Sequence, residues 1–145
     1  MRTMFVRQQH ETKHSEAQKW MLDFVNFVRS ENTHVFLHHI YEYKKGLRNL
    51  ILHTTSQENE RKIRERLDRE QIAHVIYPLG KKKINVFFGA SICIKVIEKI
   101  GKVHLHDYSD EEDFMLGIML GYDRKKQCER YLQRKNDQGK GQLIG

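Results

Sequence analysis

His34 and His38 stand four residues apart in the segment HVFLHHIYEYKKG. On a helix this spacing puts two imidazoles on one face, where they can chelate a divalent metal or approach a haem. Two imidazoles are half a site, and no spacing brings His53, His104, His106 or a carboxylate to complete it. The bland alternative, a part-exposed helix whose histidines pack or make hydrogen bonds, needs no third ligand. A second gathering is Tyr41, Tyr43, Arg48, Asn49 and His53, which collects aromatic, basic and amide groups suited to a small ligand. Its plainer reading is the solvated end of a sheet.

The remaining reactive groups argue against familiar chemistries. Cys93 and Cys128 lie far apart with no Cys-x-x-Cys pair, so neither a dithiol nor a closed zinc site is indicated, and both read as small buried hydrophobes. The run Asp110-Glu111-Glu112-Asp113 suggests paired carboxylates or a metal site. It also follows Ser109, whose hydroxyl can cap a helix in a box with Glu112, and acids in a first turn are favoured by the helix dipole. Glycine-rich phosphate loops, G-x-S-x-G and H-E-x-x-H are all missing from the sequence. No reaction and no cofactor are indicated.

Charge has a place as well as a sum. The net +7 is spread unevenly: residues 124–145 hold seven Lys or Arg against two Asp or Glu, while residues 34–123 hold fourteen against thirteen. The basic end, with Arg124, Lys125, Lys126, Arg130, Arg134 and Lys135, can attract nucleic acid, an anionic membrane or an acidic protein. The longest uncharged apolar stretch, Phe114 to Tyr122, is far shorter than the roughly 20 residues of a membrane span. The first residues lack a secretory core, which points to the cytoplasm.

These groups need elements to hold them. Residues 1–14 show no periodicity and read as disordered, whereas residues 15–31 carry a broad apolar stripe and read as an amphipathic helix. From Asn32 or Thr33 to Gly46 the pattern reads as a short helix, with a strand from Val35 to Tyr41 as the alternative; a strand at LRNLILHT and a helix from Gln57 to Gln71 behind a Thr55–Glu58 capping box follow. HVIYPLG and KKKINVFFG form a hairpin through Gly80, with lysines 81–83 at its turn. The resulting β-α-β-β unit predicts a small mixed sheet with a helix on one face. Next comes ASICIKVIEKI, closed by Gly101, with Ile92, Val96 and Ile100 at packing spacing. The helix containing FMLGIMLGY is apolar all round and predicts deep burial, with Gly117 and Gly121 allowing a close backbone approach. A last helix over Asp123 to Lys135 precedes a flexible tail, residues 136–145.

The strings HHIYEYKKGLRNLILHT and DEEDFMLGIMLGYDRKKQCERYLQR, in this order, resemble a small bacterial family of unknown function over about His34 to Arg134. The resemblance implies three strands, five helices and a homodimer. It supplies no catalytic residues. Some relatives are encoded beside a flavodoxin, which implies a role around that electron carrier.

The sequence therefore reads as an α+β protein, a single domain over 32–135, acting as a cytoplasmic, non-enzymatic, homodimeric binding or accessory module. Phe114, Met115, Ile118 and Met119, or else the uncovered sheet face, would form the dimer interface, and the basic last helix would meet an acidic partner such as flavodoxin, with no membrane contact. Two other classes stay open: nucleic-acid binding through the last helix, and a metal- or haem-associated protein using His34 and His38.

Overall fold

The computed structural model describes residues 18–19 and 31–144. Residues 1–14 and the helix read over 15–31 therefore lie outside the described residues, apart from Gln18 and Lys19, which are helical and exposed, and Glu31. The chain divides between His38 and His39 into two compact units. The division falls inside helix α1 (Glu31–Lys44). In the first unit, Thr33 and Phe36 are buried. Helix α1 is already under way at Glu31, so Asn32 and Thr33 are helical residues, not caps. Its end is as read: Leu47 N–H bonds back to Glu42 O, Gly46 N–H bonds to Tyr43 O, and Gly46 takes φ +74°.

The second unit holds the sheet. Strand β1 (Leu50–Ser56) is followed by a short 3-10 turn and helix α2 (Glu60–Arg69), then by the hairpin of β2 (Ala73–Leu79) and β3 (Lys83–Gly89). The strand order is β1-β3-β2, and both pairings are antiparallel. The expected mixed sheet is thus corrected. Strands β1 and β2 do run parallel, as a crossover through α2 requires, but they are not neighbours. The tight hairpin brings β3 back into the space between them, and each then pairs with β3 alone.

Period-two alternation sorts the side chains. Leu52, Phe87 and Val75 lie side by side across the sheet, as do His53, Val86 and Ile76 on the opposite face. The first face packs on α3 (Ser91–Ile100) and α4 (Asp110–Met119), where Leu50, Phe87, Ile94, Ile97, Tyr108, Leu116 and Leu120 make one buried cluster. The second face carries α2, whose Asp68 reaches His74, with Ile63 and Leu67 buried. The end of α1 lies on this side too, for His39 meets the His53 ring and Lys44 pairs with Glu70. Central strand β3 is buried from Ile84 to Gly89.

Gly89 is required here by close approach. A Cβ at this position would stand 2.2 Å from the Asn49 carbonyl oxygen, with φ at +148°. The bare backbone lets Ala90 N–H donate to that same oxygen at 2.8 Å, which tucks the start of α3 against the start of β1.

Several local readings are revised. Thr55 remains in β1, buried, and accepts from Asn59 Nδ2 at 2.9 Å, so no capping box forms and the helix starts at Glu60. On α3 the inward positions are Ile94 and Ile97, while Ile92 is 69% exposed. The apolar run in α4 is not buried all round: Leu116 and Gly117 are buried, but Met115 is exposed. Gly117 faces the side chain of Gln127 instead of another backbone, and Gly121 serves as the helix stop at φ +81°. The final helix, α5, runs from Arg124 to Ile144, past the end expected at Lys135 and through the segment read as a flexible tail. No helix among the described residues is long and apolar enough to cross a membrane.

Candidate functional site

Helix α4 starts as its sequence demands. Ser109 Oγ accepts from Glu112 N–H at 3.1 Å and Ser109 N–H donates to Glu112 Oε1 at 2.9 Å, a complete capping box. The box fixes the rotation of the acidic turn. Glu112 turns to Lys102, while Asp110, Glu111 and Asp113 turn toward α5. Helix α5 has its own cap, with Asp123 Oδ1 accepting from Lys126 N–H at 2.9 Å.

Between the two helices runs a row of ion pairs. Arg130 grips Asp113 with Nε at 2.9 Å and Nη2 at 3.1 Å, a two-point fork. Arg134 bridges Asp110 at 2.8 Å and Asp113 at 2.9 Å. The contact to Asp110 Oδ1 is a close ion pair without hydrogen-bond alignment. Lys135 reaches Glu111 at 2.7 Å, and the Tyr131 hydroxyl donates to the same carboxylate at 3.2 Å. Phe114 packs on the Tyr131 ring at 5.5 Å. The Arg130 hydrogen bonds hold the Asp113 carboxyl below the usual range, and Lys135 does the same for Glu111.

The six cations assigned to a partner therefore split. Arg130, Arg134 and Lys135 are engaged by the chain's own acids. Arg124, Lys125 and Lys126 fill the first turn of α5, are exposed, and have no carboxylate partner among the described residues. Of the residues assigned to a dimer, Met115 is exposed and Phe114, Ile118 and Met119 are half-buried.

The proposed ligand group does not converge. Tyr41 is exposed, with the Lys45 ammonium 5.5 Å from its ring centroid; Tyr43 is half-buried. Asn49 is exposed and contributes its carbonyl to Ala90. Arg48 and His53 do share a cluster, through His39 and Glu42, which the sequence reading did not assign. Arg48 Nη1 lies 3.3 Å from His39 Nδ1 and 3.8 Å from Glu42, and Nη2 reaches the Leu120 carbonyl at 3.5 Å. His53 is buried edge-on to His39 at 5.7 Å. Burial, with a smaller contribution from His39, lowers its pKa to about 4.

His34 and His38 are exposed on the part of α1 that belongs to the first unit. Among the described residues no three His, Cys, Asp or Glu side chains come together in a way that could hold a metal ion. His104 and His106 stack face to face at 5.2 Å. Of the two thiols read as buried, Cys93 is half-buried against the core and Cys128 is exposed.

The model of a family described as a protein of unknown function (DUF2023) matches residues 34–134. The chain belongs to this family. The match starts within α1 and ends at Arg134, so it takes in the whole sheet and the ion-paired part of the last two helices in this DUF2023 member. No curated protein matches the chain.

Proposed function

We propose that this DUF2023 member is a cytoplasmic, non-enzymatic binding module that receives an acidic protein on the start of α5. The observation carrying this reading is the division among the basic residues. Three cations are consumed by α4, while Arg124, Lys125 and Lys126 stand together at the positive end of the longest helix among the described residues, where the dipole disfavours cations. Their cost to the helix is a reason to look for their use elsewhere. Three exposed cations in one helical turn focus positive potential and raise encounter rates with an acidic surface. An acidic electron carrier of the flavodoxin kind, which the family resemblance suggests, is the partner proposed, and a homodimer through Met115 and its neighbours is compatible with that docking.

The test is a calorimetric titration with the host flavodoxin at low and moderate salt, using the wild type and an Arg124→Glu, Lys125→Glu, Lys126→Glu variant. Ending the chain at Asp123 would be a poor control, since it strips the cover from Asp110. Saturable binding that weakens with salt and is lost in the variant is the expected result. Equal binding by the variant overturns the reading. Duplex DNA binding with flavodoxin inert replaces it with a nucleic-acid function.

A further inference from the structure

A cavity of about 520 Å³ opens where α4, α5 and the turn Leu105–Asp107 meet the first face of the sheet. Leu52, Leu105, Leu116 and Leu120 supply its apolar side, and its charged lining is Arg130 and Arg134 together with Asp113, the carboxylate that both hold. Both guanidinium groups are set by Asp113, and Arg134 also by Asp110. The contacts use Nε and Nη2 of Arg130 and Nε and Nη1 of Arg134, so that among the described residues these pairs do not take up Nη1 of the first or Nη2 of the second. Two forks held in place by carboxylates beside an apolar pocket are prepared donors for oxygen acceptors.

The charge decides which acceptor. Arg130, Arg134 and Lys135 balance Asp110, Glu111 and Asp113. Gln127 also lines the cavity, so the start of α5 borders it, and the neighbouring Arg124, Lys125 and Lys126 tip the local field positive. An anion is therefore favoured over a cation, and the leucines favour a hydrocarbon body.

We propose that this cavity binds a medium-chain aliphatic carboxylate, its chain against Leu52, Leu105, Leu116 and Leu120 and its carboxylate on the guanidinium groups of Arg130 and Arg134. The preference for an anion draws on the same Arg124, Lys125 and Lys126 that carry the docking proposed above, but the groups that would touch the ligand are Arg130 and Arg134, and titration with small molecules reads the cavity with no partner protein present. A chain of about eight carbons is small enough to enter a cavity of this volume and long enough to reach the leucines from the arginines.

The full chain, labelled with ¹⁵N, is titrated with octanoate below its micelle concentration, with 1-octanol, and with acetate. Octanoate is expected to shift the amides of 105–107, 116–120 and 127–134 saturably. Octanol should bind about tenfold more weakly, since a charge-assisted hydrogen bond is lost, and acetate should produce no saturable shift. In Arg130→Gln, the octanoate affinity should fall toward that of octanol while octanol itself is unchanged. The proposal is overturned by no saturable octanoate shift in the wild type, by octanol or acetate matching octanoate, or by an unchanged octanoate affinity in the variant. If Arg130→Gln does not fold, the ranking of the three probes on the wild type alone decides.

Discussion

Arg134 holds its Nε 2.8 Å from Oδ1 of Asp110, a carboxylate whose side chain is only 2% exposed, and ties the second turn of contacts in α5 to the first turn of α4. Lys135 approaches the same carboxylate only to 3.7 Å. Removing Arg134 thus leaves a buried charge with one distant cation. Arg134→Met is expected to lower unfolding free energy by about 3 kcal/mol, the range for breaking one side of a buried pair. Adding Asp110→Asn should recover much of that loss. Urea unfolding of the single and double variants measures both; a single variant as stable as wild type would refute the pairing.

His53 sets a pH dependence with a definite sign. Its pKa is about 4 in the fold against an ordinary 6.5, so above 6.5 both states are neutral and stability is complete. Between these values the unfolded chain takes a proton that the fold refuses, and stability falls with decreasing pH by up to about 1.4 kcal/mol per unit. The lowered carboxylates Glu111, Glu112 and Asp113 act further down, as pH drops below the ordinary carboxylate range. Thermal unfolding from pH 7 to 4 should show the His53 slope, and His53→Leu should flatten it above pH 5 relative to wild type.

Gly89→Ala places a methyl group 2.2 Å from the Asn49 carbonyl oxygen, in a conformation that L residues avoid. The contact is with backbone on both sides, so neither rotamer change nor side-chain motion relieves it. A loss of at least about 3 kcal/mol is expected, enough to unfold a domain of ordinary stability. Gly46→Ala, which has open space around it, should cost about 1 kcal/mol. Circular dichroism and urea melts of the pair separate crowding from φ strain.

Tyr108 is buried in the core cluster with no hydrogen-bond partner for its hydroxyl among the described residues. Burial pushes its pKa up, with Tyr77 and Glu112 adding to the effect. Tyr108→Phe keeps the ring and removes the unsatisfied group, so stability should stay level or rise by up to about 1 kcal/mol. A loss above 1 kcal/mol in urea melts would show that the hydroxyl is bonded in solution.

The parts of the fold legible in the sequence are those written locally. Ser109 with Glu112, Gly46 and Gly101 mark helix ends because each satisfies backbone groups within a few residues. Thr55 and Glu58 carried the same signal falsely, since the β1 pairing with β3 keeps Thr55 extended. Neighbour order in the sheet was beyond reach, because period-two alternation says which face a residue occupies and nothing about which strand lies beside it. For the site, the acids of α4 and the cations of α5 each had a sufficient separate explanation, in the dipole and in a polyanion. The signal that links them was present: Arg130 and Arg134 share one helical face, and so do Asp110 and Asp113. Arg48 and His53 stand in one cluster with His39 and Glu42, two residues that the sequence pattern did not single out because their meeting depends on tertiary packing.

The central place of β3 has a consequence for synthesis. A nascent chain that has emerged only as far as Leu79 possesses β1 and β2 with no strand able to pair with either. Every ladder hydrogen bond of the sheet waits for the seven residues Lys83–Gly89, after which both flanks zip at once. Until then two strands emerge with their backbone edges unpaired, the interval in which a holding chaperone would have most to do.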